Sequence, residues 1–128
     1  MNFPYREVVP GVLRPIVPVR LRFKEIFVID EALIDSGADW CILDAGLLDI
    51  LKIPKGKRVN FSGIGREKLT GFKSKINLTI ADKELKTDVI FSGDLGPLSY
   101  GVLGQKGFFD NFKVCFDKSQ QQLTIDPK

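Results

Sequence analysis

The chain has 128 residues, 44% hydrophobic and 27% charged, with a formal net charge of +3. That length suits one hydrophobic core and a single domain over 1–128, and the composition excludes disorder, collagen and a disulfide scaffold. The small net charge marks no nucleic-acid partner. Histidine is absent, which excludes Ser-His-Asp and Cys-His nucleophile systems and His-ligated zinc, so aspartates become the natural acid–base groups. The two cysteines, Cys41 and Cys115, fit no metal spacing and are expected reduced and buried. Apolar stretches such as 40–43 and 45–48 fall far short of the ~20 residues that cross a bilayer, so no membrane partner is expected. The residues after Met1 lack the pattern of a secretory leader, which makes the cytoplasm the expected location.

Pro4, Pro10, Pro15 and Pro18 disfavour helix at the start and predict an extended arm over 1–15. From Ile16 the pattern is period-two, and Lys24-Glu25 separates it from Ile26 to Ile29, which reads as a hairpin. A third strand, Ala32-Leu33-Ile34, runs into Asp35-Ser36-Gly37, whose small, turn-forming residues end it and leave an aspartate at a strand end. Leucines 43, 47, 48 and 51 predict a short helix over 44–51, stopped by Pro54. Strands over 58–64 and 69–80 flank Gly63, Ile64 and Gly65, and a turn at 81–84 leads into a strand through Val89-Ile90-Phe91. Tyr100 to Gly104 reads as a buried strand end. Phe108, Phe109 and Phe112 predict a second short helix over 105–112, and 113–116 with 121–125 a closing hairpin. The fold class is mainly β, a small closed barrel or sandwich with one or two short helices.

Three segments read together carry the function: Asp35-Ser36-Gly37-Ala38-Asp39, then Gly63-Ile64-Gly65, then Val102-Leu103-Gly104. Their order and spacing resemble the retropepsin-like aspartic proteases over roughly residues 13–125. The resemblance implies an endopeptidase in which Asp35 is catalytic, Ser36 and Gly37 support its loop, and Gly63, Ile64 and Gly65 tip a flap. It further implies that Ala38, Asp39, Trp40, Val102 and Leu103 meet the substrate, that Arg14-Pro15 belongs to an arm reaching the second subunit, and that no metal or cofactor takes part. Gln105 departs from the family, where arginine is frequent, which puts a local ion pair to Asp39 in doubt.

The chemistry agrees with the resemblance. Cleaving a peptide without metal or histidine needs one group to take a proton from water and another to give one to the amide. Two carboxyls ~3 Å apart share one proton and do both. The chain has one Asp-Ser-Gly, so the second carboxyl is expected from Asp35 of another copy, in a homodimer acting on an extended peptide or protein. Blander readings stand beside these: Asp35 as a turn former, Asp39 as a solvated carboxylate, Trp40 as core, and Gly63 and Gly65 as ordinary turn residues. The basic run Lys52, Lys55, Lys57 and Arg58 is a solvated loop or an anion patch. The main alternative function is a peptide- or protein-binding module of the same fold that does not cleave.

Overall fold

A computed structural model describes residues 1–62, 68–96 and 100–128. The period-two segments become β4 (Ile16–Phe23) and β5 (Ile26–Ile34), paired from Ile16↔Leu33 to Phe23↔Ile26. Lys24 in the two-residue turn adopts φ 54°, the left-handed geometry that lets a tight hairpin keep the twist of its strands. The separate strand expected at Ala32-Leu33-Ile34 is instead the last third of β5. Asp30 and Glu31 do not interrupt it, because both stay paired with Val19 and Pro18 of β4.

The chain continues through β6 (Ile42–Asp44), α1 (Gly46–Ile50), β7 (Lys57–Ser62), β8 (Lys68–Ile80), β9 (Lys83–Ser92) and β10 (Gly101–Leu103). α1 is shorter than the 44–51 expected, and it buries Leu47 and Leu48. These strands form one sheet in the order β4-β5-β10-β6-β9-β8-β7. A further antiparallel pairing of β4 with β8, centred on Leu21↔Leu78, closes six of them into a ring and leaves β7 at the edge. Inside lie Val19, Leu21, Ala32, Leu43, Leu78 and Phe91, each fully buried. Arg22 donates to both carboxylate oxygens of Glu84 at 3.2 and 2.9 Å, tying β4 to β9 on the outside.

The second expected helix, over 105–112, does not form. Gly107 sits at φ +96°, a left-handed conformation that breaks the helical path. The N–H groups of Phe109 and Asp110 reach back five residues, to the carbonyls of Gly104 and Gln105 at 3.2 and 3.1 Å. The aromatic grouping survives the change of backbone: Phe108 meets Phe109 edge-on at 5.0 Å and stacks on Phe112 at 5.2 Å.

Residues 1–15 are extended but folded back on the chain. β1 (Asn2–Pro4) pairs with β12 (Gln122–Pro127), which pairs with β11 (Phe112–Asp117). β2 (Arg6–Val9) and β3 (Val12–Arg14) make a hairpin across Pro10-Gly11, with Gly11 at φ +81°, the Pro-Gly order of a tight turn with a left-handed third position. Cys41 is buried as expected, and burial pushes its thiol up to about 11. Cys115 is not buried. It lies exposed on β11, because Phe112 and Val114 take the face packed on the core and Cys115 alternates to the other.

Candidate active site

One row of directly paired residues crosses the sheet: Leu33, Val102, Ile42, Ile90, Lys73 and Lys57, one from each of β5, β10, β6, β9, β8 and β7. Paired residues share a face and their sequence neighbours point the other way. Val102 therefore faces the same side as Leu33, whereas Leu103, expected at the cleft, turns into the core and is 0% exposed. Leu103 acts at the site through its backbone: its carbonyl accepts the N–H of Asp35 at 3.0 Å. Gly63, Ile64 and Gly65, the expected flap tip, lie outside the described residues.

Asp35 is the first residue past β5, two beyond Leu33 and on the same face. Its carboxylate accepts the N–H of Gly37 at 2.9 Å, and its carbonyl accepts the N–H of Ala38 at 3.1 Å. A Cβ on Gly37 would stand 3.2 Å from the same carboxylate oxygen, so the residue there is held small by the turn. The loop is closed from the far side by Gln105, a residue the sequence marks only as a departure from the family pattern. Its side-chain amide donates to the Ser36 carbonyl at 2.8 Å, and its backbone N–H donates to the Ala38 carbonyl at 2.8 Å. One residue on, the N–H of Lys106 donates to the Asp39 carbonyl at 2.9 Å, and Trp40 and Lys106 form a parallel bridge. Gly104 makes this stitching possible, since a Cβ there would meet the Trp40 and Ala38 carbonyl oxygens at 2.3 and 2.5 Å.

Ser36, Gly37 and Asp39 are exposed, and Ala38 and Trp40 are half-buried. Among the described residues the Asp39 carboxylate takes part in no ion pair. Lys73 and Lys106 place their ammonium groups over the Trp40 ring, 5.3 and 4.8 Å from its centre. Two adjoining cavities open beside the loop. One of about 220 Å³ is lined by Asp35, Gly37, Ile42, Leu69, Leu95 and Val102 among others. The other, about 230 Å³, is lined by Ala38, Asp39, Trp40, Asn60, Phe61 and Ser62 together with Gly37 and Ile42. Phe61, Leu69, Ile42 and Leu95 are not singled out by the sequence: Phe61 and Leu69 reach the cavity because β7 and β8 come beside the end of β5, and Ile42 and Leu95 because the sheet order brings β6 and the segment after β9 to it.

None of the three other half-buried aspartates of this sheet, Asp30, Asp44 and Asp88, stands beside Asp35; Asp88, on β9, is three strand spacings away, ~14 Å. Asp30 is five residues earlier on β5, ~17 Å along an extended strand, and burial, with the charge of Asp44 adding, raises its carboxyl above the usual range. Asp44 lies two residues past Ile42 on a strand running antiparallel to β10. It is therefore on the other side of the cross-sheet row, ~13 Å from the level of Asp35.

No protein-family model matches the chain, and no curated protein matches it. Among solved structures it is similar to EIAV protease in complex with the inhibitor HBY-793, with a TM-score of 0.55 and 21% identity over 72% of this chain and 82% of that one. At this identity the likeness is one of fold, and it bears out the mainly β, retropepsin-like class expected from the sequence.

Proposed function

We propose that the protein is an aspartic endopeptidase working as a homodimer, in which the Asp35 carboxyls of two copies hold and activate a water between them. The observation that carries this reading is the position of Asp35: at the end of a central strand, held by the Gly37 N–H, opening into an apolar cavity. Asp30, Asp44 and Asp88 stand too far off to complete a dyad within the chain, and under this reading the second carboxyl belongs to a second copy. One carboxylate of the pair takes a proton from water as it attacks the peptide carbonyl, and the protonated partner stabilises the tetrahedral oxygen and hands a proton to the leaving amine. No covalent intermediate forms. The substrate lies extended beneath β7 and β8, with Ala38, Asp39, Trp40 and Val102 against it and its backbone bonding by strand addition. The fold of EIAV protease, whose structure was solved with an inhibitor bound, supports the reading.

Asp35→Asn tests it. The amide keeps the shape and removes the shared proton, so the variant should unfold at the wild-type denaturant concentration and lose at least ~10³-fold in kcat on a peptide library. Wild-type kcat/KM should trace a bell on the acid side of neutrality, falling at high pH as the dyad loses its last proton and at low pH as both carboxyls protonate. Cleavage by Asp35→Asn at the wild-type rate would remove the mechanism. A second reading, a binding module of the same fold, draws on one observation. β1 is paired with β12 of its own chain, so that strand is not held free for a partner.

A further inference from the structure

The corner of the cleft built around Trp40 carries charge that the proposed chemistry does not use. Lys73 and Lys106 both lie over the indole ring, and Lys57 stands directly opposite Lys73 in the β7–β8 register. Like charges placed opposite one another on a sheet repel, and among the described residues none of the three takes part in an ion pair. The carboxylates near this corner are Asp39, next to Trp40, Asp88, directly opposite Lys75, and Asp110, whose charge reaches the Cys41 thiol beside Trp40. With Lys75 counted, four lysines face three carboxylates, which leaves the corner net cationic. The aromatic face accounts for part of the arrangement, since an ammonium over an indole is attracted to its π cloud. It satisfies no N–H hydrogen bond, and each ammonium has three to give.

The position of this corner relative to Asp35 can be read from the sheet. Asp35 lies two residues beyond Leu33, and Trp40 lies two residues before Ile42 on the antiparallel neighbour of β10, so both are on the same side of the cross-sheet row. Two strand spacings separate β5 from β6, about 10 Å. An extended peptide crossing the cleft covers that distance in about three residues.

We propose that Trp40, Lys73 and Lys106 form a specificity subsite for a carboxylate, so that the preferred peptide carries Asp or Glu about three residues from the bond aligned with Asp35. The carboxylate accepts from the two ammonium groups while the side-chain methylenes of the peptide lie on the indole edge. In a two-fold dimer the subsite is repeated on the other side of the cut. The position counted from the scissile bond rests on the peptidase reading; the preference for a carboxylate rests on the corner alone.

The test uses two peptides that differ only by Glu or Gln three residues from the cleaved bond. They are measured twice, as kcat/KM with the wild-type protein and as Kd with Asp35→Asn, followed through the fluorescence of Trp40, the only tryptophan. The Glu peptide should be favoured about fivefold at low salt, a preference shrinking toward unity at high salt and in a Lys73→Gln/Lys106→Gln double variant. Equal Kd for Glu and Gln peptides, or a preference that survives in the double variant, overturns the subsite. Comparable binding and competition by a single-stranded oligonucleotide of equal charge also overturns it, by making the corner a general polyanion surface. Tighter binding of the Glu peptide with neither peptide cleaved keeps the subsite and removes the peptidase. Cleavage of both at equal kcat/KM does the reverse.

Discussion

Gln105 is a polar side chain 69 positions from the residue it holds, and its amide donates to the Ser36 carbonyl at 2.8 Å. An arginine here would carry a charge toward Asp39; glutamine carries none, and in this chain the loop is braced by a neutral hydrogen bond to backbone. Such a bond contributes about 1 kcal/mol, and one between a side chain and a loop carbonyl acts mainly on where the loop sits. Gln105→Leu should therefore lower kcat about tenfold with little change in KM, because the proposed water-activating carboxyl is displaced while the binding surfaces stay. Gln105→Arg retains a donor and should recover most of that loss. A stopped assay over a substrate series, with denaturation of both variants alongside, checks this. Equal kcat for the leucine variant and wild type would show that the loop holds itself.

At the scale of the elements, local rules reached far. The alternation in 16–23 and 26–29 found the central hairpin, though not that its second strand runs on to Ile34; the tripeptide at 35–37 found a strand end, and the apolar run at 100–104 found a buried strand end whose pairing with β5 only the fold reveals. One expectation failed where a distant partner decides the backbone. The phenylalanine spacing in 105–112 is helical, yet Lys106 bridges to Trp40 and Gly107 takes a positive φ against Thr87, so the segment becomes a wide turn. The prolines of residues 1–15 did predict extended backbone, but nothing local announces that β1 will find β12 at the opposite end of the sequence. The lining residues Phe61 and Leu69 were illegible for the same reason. Gly104 is the element-scale test of the stitching. Gly104→Ala would press a methyl against two carbonyl oxygens that belong to the loop backbone, and it should destabilise by about 1–3 kcal/mol. Gly93→Ala, where nothing lies within 4 Å, is the control and should be close to neutral. Urea midpoints of the two variants decide the matter, and an unchanged midpoint for Gly104→Ala would mean the loop yields freely.

The whole molecule presents one Asp-Ser-Gly loop with Ser36 and Gly37 exposed, while Asp30, Asp44 and Asp88 lie more than ~10 Å from Asp35 by strand register. With a dyad shared between two copies, the unit of function is larger than the chain, and activity follows self-association by mass action. Specific activity should then fall on dilution below the dimer dissociation constant, and at the lowest concentrations the rate should approach the square of total protein. Because β1 is already paired within the chain, the interface has less strand to share and the dimer should be weak, so the fall should appear at accessible concentrations. Excess Asp35→Asn mixed with wild type should poison activity, since each mixed dimer holds one ionisable carboxyl at the site. Sedimentation and cleavage measured over one concentration series read the two quantities together. A specific rate that stays constant where sedimentation finds only monomer would show that a single chain suffices, and the second carboxyl would then have to be sought within it.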